Sequence, residues 1–300
     1  MDAPRSPATD TPRAGLAFGV GAYGLWGLLP IYFKLLSAVP AIAIVAHRVV
    51  WSLLFLAILL AARKAWREVM TAVRHRSTLL LLLGTSVLIA INWLVYVHAV
   101  NSGHILAGSL GYYLNPLANI LLGRFVLGEP LSKPQWLAVA IAGAGVSILA
   151  VGALSHLWIS LTLCISFALY GLLRKVAKVD ATAGLSIETA LLFVPALLWL
   201  GWTSGSQPLW GETSVTLWLL VGTGVASTIP LLFFTAAARR LRYSTLGMLQ
   251  FIAPTIQFLV AVFLYGEPFG TPQAAAFACI WTAAGLYLWA ALREVRVSAS

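Results

Sequence analysis

Tyr112, Asn115 and Asn119 stand at i, i+3 and i+7 within a long apolar stretch, so on a helix they form one polar stripe. An offset of 138 residues puts Gln250, Ala253 and Gln257 in the same register of a second apolar stretch, and each stretch contains a proline, Pro116 or Pro254. Paired stripes of this kind suit facing walls of a cavity that hydrogen-bonds a solute. They also suit amide contacts between neighbouring helices. A charge at the centre of a bilayer costs roughly 2.5–3.5 kcal/mol even on insertion scales, so ionisable groups inside apolar segments are candidates for function. His47 and Arg48 lie about two turns into one such segment. Arg48 reads as an anchor for a carboxylate or other anion, or as a side chain that snorkels to the interface. Glu188 reads as a proton-coupling carboxylate, a counter-charge within a bundle, or a solvated interfacial group. These two groups start from opposite membrane faces, and no ion pair between them is assumed. Asn92 and Tyr96 share a helix face at i, i+4, whereas His98 points elsewhere and reads first as a packing residue.

Two GEP boxes, Gly128-Glu129-Pro130 and Gly266-Glu267-Pro268, read as structural: the glycine ends a helix and the proline prevents its continuation. Pro195 and Pro230 are further kink positions. Gly19, Gly21 and Gly24 match GxGxxG, but they lie in an apolar segment with no preceding strand, which excludes a dinucleotide site. With Gly15 and Gly27 they offer instead a small-residue surface for close helix packing. Cys164 and Cys279 both fall in apolar segments, with no metal-ligand spacing. No cofactor or metal is expected, and no nucleophile–base constellation points to an enzyme.

These residues are positioned by a chain of 300 residues that is 60% hydrophobic and 9% charged, with a mean hydropathy of +0.91. Soluble domains carry roughly 25% charged residues, so the composition excludes a water-soluble globule. The net charge of +10 is dispersed in short runs between apolar stretches, a pattern that argues against nucleic acid as a partner. About 20 apolar residues cross a hydrocarbon core of about 30 Å as a helix. Ten segments qualify: 15–33, 42–61, 78–100, 104–126, 134–152, 156–174, 184–204, 214–235, 244–265 and 271–291. If the N-terminus is inside, seventeen of the nineteen Lys and Arg residues fall on the cytoplasmic side; Lys34 is outside and Arg48 within a span. Both termini are then cytoplasmic. Residues 1–14 read as a disordered tail and 293–300 as a C-terminal tail.

Residues 116–140 align without gaps to 254–278, with ten of 25 positions identical, including GEP and the following Pro-Gln. Five spans separate the copies, an odd number, so the copies cross in opposite directions. The expected organisation is an all-α polytopic membrane protein of ten helices in two inverted five-helix repeats, 15–152 and 153–292. That architecture is characteristic of secondary transporters with a midplane site.

The strings AHRVVWS (46–52), NWLVYVHAVNSGHILAGSLGYYLNPL (92–117), STIPLLFFTAAARRL (227–241) and STLGMLQFIAPTIQFLVAVFLYGEPF (244–269), with both GEP boxes, are spread along the chain from residue 46 to residue 269. On them the sequence resembles the RarD branch of the EamA-type permeases, within the drug/metabolite transporter superfamily. The resemblance implies a 5+5 inverted repeat, residence in the bacterial inner membrane, and export or exchange of small metabolites or drugs. RarD proteins are linked by name to chloramphenicol sensitivity. An amino-acid-like metabolite or a phenicol-type drug is therefore an expected class of cargo. A membrane enzyme, a sensor and a channel are the rival classes.

Overall fold

The computed structural model describes residues 12–36, 38–101, 105–150, 157–203, 213–264 and 270–297, and every regular element among them is helical. In chain order these are α1 (Pro12–Lys34), α2 (Ala41–Ala62), α3 (Trp66–Arg74), α4 (Arg76–Asn101), α5 (Ile105–Phe125), α6 (Lys133–Ala150), α7 (Leu157–Val176), α8 (Ala181–Thr203), α9 (Ser214–Arg240), α10 (Tyr243–Leu249), α11 (Ile252–Leu259), a π-helical turn (Val260–Leu264) and α12 (Thr271–Val297). Helix is the form these segments can take in hydrocarbon, because it satisfies each backbone group within its own segment. Large apolar side chains point outward along the bundle: Leu54, Ile58, Leu198, Trp202, Trp218 and Phe263 are all exposed. Among the described residues, six helices are long and apolar enough to cross a membrane: Arg13–Lys34, Ile42–Ala62, Arg76–Tyr96, Leu157–Val176, Ala181–Thr203 and Ser214–Arg240.

Four features differ from the sequence expectation. Residues 66–74, expected in a loop, form α3, a short amphipathic helix with exposed Trp66, Met70 and Val73 beside exposed Arg67, Glu68 and Arg74. Its nine residues are too few to cross a bilayer, and its mixed exposed surface suits the membrane–water interface. The segment 244–265, expected as one span, is broken into α10 and α11 at Gln250–Phe251. Pro254 accounts for the break: it has no N–H for the carbonyl four residues earlier, that of Gln250, and its ring collides with that carbonyl. Helix α1 begins at Pro12, inside the expected tail, and α12 continues to Val297, through most of the expected C-terminal tail.

The helices interlock in a definite pattern. Helix α6 packs on α12, α5 on α7 and α10, α1 on α9 and α11, α2 on α8 and α9, and α4 on α7 and α8. Glycine sets the closest approaches. A β-carbon at Gly27 would fall 2.6 Å from Ile256 Cβ, and one at Gly19 would fall 2.7 Å from a Leu249 methyl, so α1 lies directly on α10 and α11. The main core is aromatic, with Tyr23, Tyr170, Phe234 and Tyr243 fully buried between α1, α7, α9 and α10.

One end of the bundle is tied together by polar contacts. Arg63 donates to Thr182 Oγ1 at 2.7 Å, Arg239 pairs with Asp180 at 3.3 Å, and Lys175 Nζ donates to the Ala238 carbonyl at 3.3 Å. Arg242 donates to the Pro130 carbonyl at the same end. In the first GEP box, Gly128 adopts φ +69°, a left-handed conformation that glycine reaches without steric cost, and α5 ends just before it. The Glu129 carboxylate then accepts from Tyr243 N at 2.7 Å, Ser244 N at 3.0 Å and Ser244 Oγ at 2.7 Å, which caps α10. The second box, Gly266, Glu267 and Pro268, lies outside the described residues.

Candidate functional site

A cavity of about 170 Å³ opens between α1, α2, α4, α5, α7, α9 and α11. Six residues singled out in the sequence line it: Arg48, Asn92, Tyr96, Tyr112, Gln250 and Gln257. Helix α2 supplies Arg48, α4 supplies Asn92 and Tyr96, and α5 supplies Tyr112; Gln250 sits at the α10–α11 break and Gln257 on α11. Tyr112 and Gln250, related by the 138-residue offset, therefore share one cavity. Each also stands four residues before a proline, Pro116 or Pro254, so each has a backbone carbonyl that cannot receive the usual helical hydrogen bond.

Arg48 is half-buried. Its guanidinium carbon lies 4.4 Å from the Trp93 ring centroid and 5.9 Å from that of Phe33, and its buried Nε has no hydrogen-bond partner among the described residues. Cation–π contact of this kind favours a charged group that water has partly left. Asn92 commits its amide N–H groups to α7, donating to the Leu163 carbonyl at 2.9 Å and to Ser166 Oγ at 3.0 Å. Gln257 Nε2 donates to the Trp26 carbonyl at 3.1 Å, which ties α11 to α1. The Tyr96 and Tyr112 rings pack together at 5.5 Å.

Four of the expected residues are placed elsewhere. Asn119, fully buried, donates to Gln250 Oε1 at 2.7 Å, so one end of the stripe joins α5 to the end of α10 rather than facing the cavity. Asn115 is also fully buried, and neither atom of its amide has a hydrogen-bond partner among the described residues. His47 is buried away from the lining and accepts from Trp51 Nε1 at 3.2 Å. Glu188 is buried as well, not solvated at an interface: Arg174 lies 3.6 Å away, Thr85 Oγ1 donates to Oε1 at 2.5 Å, and Tyr170 OH donates to Oε2 at 3.4 Å.

The sequence reading missed the aromatic walls, above all Trp26, Phe33, Trp93 and Phe167. It also missed Arg174, which it assigned to a cytoplasmic end and which is fully buried. An aromatic ring in an apolar segment gives no sign of whether it faces lipid, a neighbour or a cavity. Position could have drawn attention to Trp93, because it adjoins Asn92.

A helical bundle with an apolar exterior and an internal cavity furnished with one cation and several amides is the class of structure that membrane carriers use. Residues 13–151 match the EamA-like transporter family. An uncharacterised transporter of Vibrio cholerae is 44% identical over 93% of both chains. The RarD protein of Salmonella typhimurium is 44% identical over 95% of this chain and 97% of its own. A chloramphenicol-sensitive RarD protein of Pseudomonas aeruginosa is 33% identical over 95% of this chain and 97% of its own. A solved crystal structure superimposes with a TM-score of 0.71 at 17% identity, covering 92% of this chain and 98% of that one, and so shares the fold. The chain belongs to the EamA-like transporter family, as a RarD-type permease, and is a multi-pass membrane protein. These relationships point to transport rather than catalysis.

Proposed function

We propose that the protein is an alternating-access secondary transporter of ten membrane crossings, in two opposed five-helix repeats, that moves small amphipathic metabolites or drugs across the bacterial inner membrane. The observation that carries the reading is the shared cavity wall of Tyr112 and Gln250, one from each copy of the 138-residue repeat.

The packing supports it. If α1, α2, α4, α5 and α6 correspond in order to α7, α8, α9, α10–α11 and α12, the contacts form symmetric sets. The α5–α7 contact answers α1–α11, α4–α7 answers α1–α9, and α4–α8 answers α2–α9, while α2–α8, α5–α10 and α6–α12 map onto themselves. The orientation, with both termini cytoplasmic, is supported by Arg63, Lys175, Arg239 and Arg242, which gather at one end of the bundle. The cavity leans the other way, since Phe33 is one residue from the end of α1 and Arg48 two turns from the start of α2. In the proposed cycle this is the outward-directed state, sealed on the cytoplasmic side by the basic cluster and by the Arg174–Glu188 pair. The solute is bound by the cavity amides and Arg48, and the repeats rock about it, with the α10–α11 break and Pro116 allowing bending. Glu188 is the candidate for proton coupling.

Reconstituted protein should give saturable flux in proteoliposomes, with trans-acceleration by unlabelled solute. Single-channel conductance steps in a planar bilayer would instead establish a channel and overturn the carrier cycle.

A further inference from the structure

We propose that the solute held in this cavity is a monocarboxylate with a flat apolar body and no ammonium group. The proposal rests on the transport reading above and names its substrate class.

Among the described residues that line the cavity, Arg48 is the one charged side chain, and there is no Asp or Glu. The buried Glu188 does not line the cavity and is engaged by Arg174, Thr85 and Tyr170. Trp93 at 4.4 Å and Phe33 at 5.9 Å attract the Arg48 cation but bring no negative charge. A half-buried cation with no counter-charge among the described lining residues bears part of the cost of desolvation, and a ligand anion offsets it. A carboxylate suits a guanidinium best, because two parallel N–H donors meet two oxygens.

The same balance of charge discriminates among ligands. A monocarboxylate brings the site to neutrality. A zwitterion leaves it with a net positive charge, and its ammonium meets only neutral acceptors such as the Gln250 and Gln257 amides. An amine adds a second positive charge beside the first. Size and shape follow from the walls. An apolar cavity of about 150 Å³ accepts benzene, and this one measures about 170 Å³, with Trp26, Phe33, Trp93, Tyr96, Tyr112 and Phe167 around it. That fits one ring with a short acidic arm.

The test uses four matched compounds: 3-phenylpropanoate, its amide 3-phenylpropanamide, phenylalanine and 2-phenylethylamine. Each is titrated against the purified full-length protein in detergent, followed by the fluorescence of the wall tryptophans. The acid should bind at least about tenfold tighter than the other three. Arg48→Gln should erase that preference and Arg48→Lys should keep part of it, with elution volume and melting temperature confirming that both variants fold. Should Arg48→Gln fail to fold, the ranking of the four compounds on the native protein still decides.

Phenylalanine or the amine binding as tightly as the acid overturns the proposal, and so does equal binding of the amide. If none of the four binds while proteoliposomes carry another solute, the substrate class is wrong and the transport reading stands. If proteoliposomes carry no member of a panel of acids, amines, zwitterions and neutral drugs, the transport reading falls, and this proposal falls with it.

Discussion

Arg174 and Glu188 meet inside the bundle at 3.6 Å, with side chains 0% and 2% exposed. Their backbones are fourteen residues apart across the α7–α8 connection, and Gly184 makes the room: a β-carbon there would collide with the Arg174 guanidinium. At this distance the pair is a charge contact rather than a tight hydrogen bond. The remaining satisfaction comes from Thr85 and Tyr170 on the carboxylate and from the Ala181 carbonyl, which accepts from Arg174 Nη2 at 3.3 Å.

Breaking such a pair from one side leaves a buried charge without its counterpart. Arg174→Met is expected to destabilise the protein by roughly 3–5 kcal/mol, and the double variant Arg174→Met/Glu188→Leu to recover much of that loss. Thermal unfolding in one detergent across the four proteins of the cycle measures the coupling. Melting temperatures that simply add would show that the two groups do not interact.

The proposed proton coupling has a separate readout. Glu188→Gln keeps the shape of the side chain and removes its titration, so flux driven by an imposed pH gradient should fall to the level of flux without one. Proteoliposome uptake with and without the gradient decides. Gradient-driven flux unchanged in Glu188→Gln would remove Glu188 from the coupling step.

Asn115 is buried, and among the described residues neither of its amide atoms has a hydrogen-bond partner. A buried polar group without a partner costs roughly 1–3 kcal/mol, so Asn115→Leu should leave the melting temperature unchanged or raise it. If the rocking of the repeats brings the Asn115 amide to the solute at another stage, the same variant should also lower flux. A stabilised protein with full flux would leave Asn115 without a role in transport.

Gly27 is where α1 and α11 touch. Gly27→Val forces atoms into the position of Ile256 and is expected to cost roughly 1–3 kcal/mol. Ile256→Ala in the same protein should restore part of the loss, as seen by thermal unfolding. No restoration would mean that the strain lies elsewhere along α1.

At the basic end, Asp180 is only partly enclosed. Its burial pushes the carboxyl up, but the backbone N–H of Thr182, the Arg239 guanidinium and the backbone N–H of Ala181 outweigh that and hold it below its ordinary value. A depressed folded pKa gives stability that is complete above the unfolded value of about 3.9 and lost as pH falls through the lower folded value. Exposed pairs contribute roughly 0–1 kcal/mol, so the effect is small. Melting temperature measured from pH 7 to pH 3 should fall less steeply for Asp180→Asn than for the native protein.

Much of the architecture could be read from the order of residues because hydrophobicity, charge and proline act locally. Long apolar runs must become helices in hydrocarbon, and the register of Pro116 with Pro254 marks a repeat in the sequence. The same local chemistry singled out Arg48, Asn92, Tyr96, Tyr112, Gln250 and Gln257, since a polar group in an apolar run is conspicuous by its cost. Even the break after α10 was present in the position of Pro254, although the apolar run around it read as one continuous span.

What the order of residues could not decide was direction. Tyr112 and Asn119 lie on one stripe, yet only Tyr112 reaches the cavity, because Gln250 takes the Asn119 amide across the α5–α10 contact. Arg174 and Arg239 both stand near basic helix ends; the first is fully buried against Glu188, and the second lies at the surface beside Asp180. Trp93 and Trp202 are both tryptophans in apolar helices, and one lines the cavity while the other is exposed. Each distinction depends on which helix lies opposite, and that is set by close approaches such as Gly27 on Ile256, formed only when the whole bundle assembles.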